Sequence, residues 1–400
     1  MMLMRTGISR IIHLPKNQQG LSLIELMISL LMSLFILAGL VTVFSLNRAT
    51  YQTDEGMARL QENGRFALDF LTRDIRSAGT IGCTGINQLK PGKNSEGVIT
   101  NLNKTPTFAS VADLSTPIVG YDATAITAVT TTYPLPMLYP PVMTGVTTPA
   151  LPALLAPGTG VVVGSDAMQI VAMDPDYTQI VSLPTLNTPV IPKDSSIDNG
   201  DLIVATACDP STPPAVATVL SSTPSGLYRT LTLDYPLPTN LSTDPNKLVV
   251  SQIAKIRTLL YYIGPGANGG PSLFVRNFSD AVGTPQELVE GIENLQIQYG
   301  IQDSTCVAGT YRNACEYQSA ATVANPKQIR SVKIGLLVAT SNVVTGRDSS
   351  PTANSGAADT GFDNNTYTMQ GINFIPNADR HRRHAFETTI QIRNLGINSR

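Results

Sequence analysis

From Leu21 to Leu46 the chain runs for 26 residues with one charge, Glu25. As a helix this run is about 39 Å long at 1.5 Å per residue, enough to cross a bilayer. A carboxylate at the centre of such a span costs about 2.5–3.5 kcal/mol and less near its end, so Glu25 is expected to find a partner. The segment 1–20 carries Arg5, Arg10 and Lys16 and no acid, which predicts retention on the cytoplasmic side. A secretory signal is cut after its apolar region at small residues. Here the plausible cut, between Gly20 and Leu21, precedes the apolar run and would leave that helix in the product.

Beyond the run, Met57, Leu60, Gly64, Ala67, Leu71, Ile75 and Ala78 recur at helical spacing. Asp54, Glu55, Arg59, Glu62, Arg65, Arg73 and Asp74 are assigned to the other faces. No proline falls between Leu21 and Ala78, and Gly79 stands where a C-terminal cap belongs. One helix over 21–78, roughly 87 Å long, is the simplest reading. Its apolar stripe is expected to pack against a head formed by residues 79–400.

The head has room for one large or two small domains. A net charge of −2 gives no electrostatic reason to expect nucleic acid or an acidic partner. All four cysteines, Cys83, Cys208, Cys306 and Cys315, lie beyond the helix, where an exported chain meets oxidising conditions. Three connectivities are possible. Cys306 and Cys315 bracket a short polar loop that a local bridge would staple, which leaves Cys83 for Cys208.

Between about 104 and 160 the chain turns to Thr, Ala, Val and Pro and reads as an insert favouring extended conformations. Its Leu138, Tyr139, Leu151, Leu154 and Leu155 either form a partner-binding patch or fold down onto the sheet. Strand patterning follows at Met168–Ala172, Leu202–Ala205, Tyr228–Asp234, Val249–Ile263, Leu273–Arg276, Leu295–Gln302, Ser331–Thr340 and Phe386–Arg393. In the last of these Phe386, Thr388, Ile390 and Ile392 face one way and Glu387, Thr389, Gln391 and Arg393 the other. That alternation predicts an antiparallel sheet with one face against the helix.

Gly20-Leu21-Ser22-Leu23-Ile24-Glu25 resembles the prepilin peptidase site of type IV pilins, with leucine where phenylalanine is commoner. The resemblance implies cleavage after Gly20, N-methylation of Leu21, and a role in assembly for Glu25 at the fifth mature position. TLLYYI, SLFVRN, ELVEGIENLQIQYG, IRSVKIGLLVATS and RRHAFETTIQIRN, in that order, resemble the PilW family of minor pilins, whose sheet region is similar to that of J-type minor pseudopilins of type II secretion. The stretch from about 85 to 250 resembles no named family. The implied fold is α+β and pilin-like, a long helix on an antiparallel sheet. The implied function is a minor pilin that helps prime type IV pilus assembly near the fibre tip, supporting twitching motility, adhesion or DNA uptake. A J-type pseudopilin or a membrane-tethered periplasmic binding protein are the alternatives. Its partners would be other minor and major pilins through the helix, the prepilin peptidase, and the inner membrane before assembly.

Signs of catalysis are poor. Gly264–Gly269 satisfies the glycine spacing of a dinucleotide loop, but a second strand follows where a helix is required, so it reads as a hairpin. His381 and His384 sit among Arg380, Arg382 and Arg383, a setting that disfavours a metal and suits a surface or strand-entry role. Asp359, Asp363, Asn364 and Asn365 offer oxygen ligands without EF-hand spacing. No catalytic residue, metal or cofactor is expected.

Overall fold

The computed structural model describes residues 22–81, 84–85, 116–122, 132–135, 162, 164–207, 214–237, 251–277, 284–302, 314–341, 363, 365–376 and 381–393. The chain divides into two compact units, Met1–Thr53 and Asp54–Arg400. One helix, α1 (Leu23–Ser77), supplies residues to both.

In the first unit every residue from 22 to 48 is exposed. The segment is long and apolar enough to cross a membrane. Its hydroxyls are satisfied within the helix: Ser29 Oγ donates to Glu25 O at 2.7 Å, Ser33 Oγ to Leu30 O at 2.8 Å, Thr42 Oγ1 to Ala38 O at 2.9 Å and Ser45 Oγ to Thr42 O at 2.8 Å. A helix with both backbone and hydroxyls paired internally can face hydrocarbon on all sides.

In the second unit α1 buries Leu60, Gly64, Ala67, Leu71 and Ile75, and Met57 lies at the rim of the same core. The helix stops at Ser77. Gly79 takes φ +70°, and its N–H donates to Val171 O at 2.9 Å, so chain direction changes where a side chain would be strained. The stripe lies on a four-stranded antiparallel sheet ordered Glu316–Gln318, Ile292–Ile301, Ile329–Ala339, Arg383–Gln391. Leu295, Ile297, Tyr299, Val332, Ile334, Leu336, Ile390 and Ile392 share its core. The alternation in the last strand is as expected, with Ile390 and Ile392 buried and Glu387, Thr389, Gln391 and Arg393 exposed.

Contact at the helix depends on the missing side chain of Gly64. A Cβ there would come within 2.4 Å of Phe386 Cε2, so only glycine lets the ring lie against the helix backbone. Gly64→Ala gains about 1 kcal/mol of helix propensity, but overpacking costs about 1–3 kcal/mol. We expect a net loss of about 1 kcal/mol that Phe386→Leu relieves. Urea unfolding of both variants is the check, and a single variant as stable as the parent would refute the packing account.

The opposite face of this sheet is covered as well. Tyr367–Met369 and Ile372–Pro376 form a hairpin that Thr132–Leu135 joins in parallel, and Met369 and Phe374 pack on Leu337. Burial on both faces is why the second half of Ile329–Ala339, from Ile334 to Ala339, carries no polar side chain.

A larger sheet of ten strands runs from Gln286–Glu290 through Pro271–Asn277, Gln252–Pro265, Leu202–Thr206, Ala215–Ser225 and Tyr228–Leu233 to Val190–Pro192. Ala167–Met173 pairs with the long Gln252–Pro265 strand, and Ile118–Tyr121, from the insert, pairs with Ala167–Met173. The two sheets are laced by polar groups. Asn294 Nδ2 and Gln296 Nε2 donate to Gly164 O at 3.0 and 2.7 Å, and Ile297 N–H donates to Asp166 Oδ2 at 2.8 Å. A second core, including Ile180, Ile191, Ile203, Val219, Leu231 and Ile253, fills the far end of the large sheet. Leu138, Tyr139, Leu151, Leu154 and Leu155 lie outside the described residues.

Candidate functional site

The segment that the sequence marks as functional begins α1. Gly20 and Leu21 lie outside the described residues. Glu25 stands in the first turn of the helix and is exposed; among the described residues no cation pairs with its carboxylate. Its surroundings are Leu23, Ile24, Leu26, Met27 and Ile28, all exposed. An isolated carboxylate on an apolar, solvent-facing helix is unsatisfied in a membrane or a helix bundle until another chain supplies a cation.

Where α1 ends, the structure corrects the sequence reading of Asp74. That residue is buried. Asp74 adjoins Ile75 on the stripe, and its carboxylate turns inward to accept the Tyr261 hydroxyl from the long strand and Arg73 Nε at 3.1 Å. Arg257 Nη2 lies 3.8 Å from Asp74 Oδ1. Burial, then the Asp74 charge, pushes the Tyr261 hydroxyl far above its ordinary range, so it remains a donor. The hydrogen bond from Arg73 to Asp74 raises the Arg73 guanidinium above its ordinary value.

A second charged centre lies between the four-stranded sheet and the hairpin. Arg383 forms a bidentate pair with Glu293, Nε to Oε2 at 2.6 Å and Nη2 to Oε1 at 2.9 Å, while Nη1 reaches Asp363 Oδ2 at 3.2 Å. Asp363 also accepts from Tyr367 Oη at 2.9 Å, and its other oxygen from Asn365 N and Nδ2 at 3.2 and 3.1 Å. Burial foremost, with Asp363 adding to it, pushes Tyr367 up to about 12. Thus Asp363, considered as an oxygen ligand, already holds an internal cation; Asp359 and Asn364 lie outside the described residues. Arg383, which the sequence reading names only as part of the cationic setting of His381 and His384, is buried. Its strand face is the one covered by the hairpin.

The remaining sequence candidates are dispersed. His381 Nδ1 lies 2.7 Å from Thr340 O, and His384 meets Phe386 edge to face at 4.7 Å, consistent with strand-entry positions. The glycine-rich segment is a hairpin: Pro265 pairs with Pro271, and Gly269 has φ +78°. Cys315 is disulfide-bonded and its sulfur contacts Ile301 O at 3.4 Å; Cys83, Cys208 and Cys306 lie outside the described residues. Asp74–Tyr261 and Arg383–Glu293–Asp363 are polar networks that sequence reasoning did not assemble. In both, the polar groups are bonded to one another inside the fold, with the Arg383 guanidinium shared between two carboxylates, and the chemistry offered is structural pinning.

Two family models match the chain. Residues 260–394 match PilW, described as Type IV Pilus-assembly protein W, and residues 15–41 match the prokaryotic N-terminal methylation motif. The first covers the strands that carry Tyr261, Glu293 and Arg383, and the second covers Gly20, Leu21 and Glu25. Comparison with curated proteins and with solved structures found no match.

Proposed function

We propose, from the premise that this chain is a type IV pilus minor pilin of the PilW family, that it helps prime assembly of the fibre and takes a place at or near its tip. The observation that carries the proposal is Glu25, an acid with no cation beside it among the described residues, on an exposed apolar helix within the methylation motif. Such a helix is suited first to a membrane and then to a bundle of like helices, whose cations can neutralise the acid. The head supports the tip. A ten-stranded sheet beside the four-stranded one makes it bulky, and bulk is best tolerated at the end of a helical array, where one side has no neighbour. Twitching, adhesion and DNA uptake would then depend on the chain through the fibre it initiates.

In this proposal a prepilin peptidase releases Met1–Gly20 and the new terminus at Leu21 is methylated, so the protein is a single-pass inner-membrane chain before assembly and a fibre component afterwards. The Cys306–Cys315 pairing, with Cys83 to Cys208, belongs to the same proposal. Intact-mass spectrometry of chain purified from cells with an active peptidase should give a species starting at methylated Leu21; one starting at Met1, or cut beyond Leu46, would remove its main support. Gold-labelled antibody against the head should mark fibre ends. Labelling spread along the shaft would refute tip placement.

A further inference from the structure

We propose that a cleft beside the last turns of α1 binds a carboxylate-bearing side chain of a neighbouring pilin subunit, with Arg257 as its anchor; this rests on the minor-pilin reading above. The cleft, about 470 Å³, lies within the second unit and is walled by Phe70, Leu259, Val275 and Leu288, with Arg73 and Arg257 among its polar groups. The Arg257 side chain is only 17% exposed. Its Nε is buried and meets no hydrogen-bond acceptor. The carboxylates facing it, Asp74 and Asp174, stand at 3.8 and 3.7 Å, beyond hydrogen-bond reach. Asp74 is already occupied by Tyr261 and Arg73.

A guanidinium presents five N–H donors in a planar fork matched to a carboxylate. Here that fork is mostly removed from water and its Nε makes no hydrogen bond, in a cleft that sets the apolar Phe70, Leu259, Val275 and Leu288 beside the polar Asn277, Thr284 and Gln286. A ligand with one carboxylate on a short hydrocarbon stem satisfies both features. Arg73 and Arg257 are balanced in charge by Asp74 and Asp174, so selection rests on donor geometry, and a multiply charged phosphate gains no advantage. Phe66, 51% exposed, stands one helical turn before Phe70 and extends the apolar surface along α1. That extension fits a peptide segment better than a free ion. The acid therefore belongs to an Asp or Glu of a protein that packs along this helix.

The test places the photocrosslinker p-benzoylphenylalanine at Leu288 in the full chain, in cells that assemble fibres. The expected product is a crosslink to another pilin subunit at a peptide containing Asp or Glu. Its yield should fall at least tenfold with Arg257→Met and equally when that acid is changed to its amide in the other subunit. The second variant leaves this chain intact and settles the matter if Arg257→Met fails to fold. A crosslink within the chain, a crosslink to a protein that is not a pilin, no crosslink, or a yield unchanged by the amide variant would overturn the inference. Any of these from fibres that contain the chain leaves the minor-pilin reading standing; absence of the chain from fibres removes both.

Discussion

Arg383→Met should destabilise the head by about 3–5 kcal/mol, the range for removing one member of a buried ion pair. The guanidinium is fully buried and serves Glu293 and Asp363 together. Its loss removes the cation that both buried acids share, whereas the triad as a whole contributes less, because all three charges had to be desolvated. Arg383→Met combined with Glu293→Gln should therefore recover part of the loss. Arg383→Lys should fall between, since an ammonium cannot reproduce two parallel bonds to Glu293. The chain has no tryptophan, so near-ultraviolet circular dichroism of its buried tyrosines is the natural probe of urea unfolding. A loss under about 1 kcal/mol for Arg383→Met would contradict the assignment of this centre as a pin.

Why the sequence hid this centre follows from where its members lie. Glu293 and Arg383 sit in strands separated by 90 positions, and neither breaks the local alternation that marks a strand. Arg383 shares a strand face with Ala385, the face opposite Phe386 and Ile390. Among the described residues the hairpin carrying Met369 and Phe374 covers that face, and a covering element packed from elsewhere in the chain leaves no trace in the strand's own pattern. Asp74 was missed for a related reason. It stands one position from Ile75, at the edge of the stripe, and its donor Tyr261 is 187 positions away.

Elements fixed by local periodicity were legible. The single helix, the capping Gly79, the alternation through Phe386–Ile392 and the Gly264–Gly269 hairpin all follow from neighbours a few positions apart, and the structure shows each of them. The region before 250 was less so. Ala215–Ser225 is an eleven-residue strand, yet its second half reads Ser, Ser, Thr, Pro, Ser, the composition of a loop. It is held in place by Tyr228–Leu233 across a turn at Gly226, where φ is +63°. Its exposed end has no apolar alternation because it extends past the second core.

Glu25→Ala should leave membrane insertion and leader removal intact while lowering incorporation into fibres by about tenfold, equivalent to about 1.4 kcal/mol per subunit placed. Removing a carboxylate makes the apolar segment easier to insert, so the loss must arise later. In the proposed processing, cleavage after Gly20 would create an amine at Leu21, four positions from Glu25. Along a single helix the two are poorly placed to meet, but a neighbour shifted along the fibre axis brings one chain's carboxylate level with the other's amine. That pair would form among Leu23, Ile24, Leu26, Met27 and Ile28, exposed here, from which water is excluded once helices pack. Loss of one member there leaves the other as an uncompensated charge in an apolar bundle, which costs more than the same loss at a surface. Ser29 cannot substitute, because its hydroxyl is already donated to the Glu25 carbonyl. Glu25→Gln, with an uncharged amide, should behave nearly as Glu25→Ala, and Glu25→Asp should retain part of the parent level. The quantity to measure is chain recovered from sheared fibres relative to processed chain in the membrane. A ratio for Glu25→Ala equal to that of the parent would mean that this carboxylate does not set the register of the subunit.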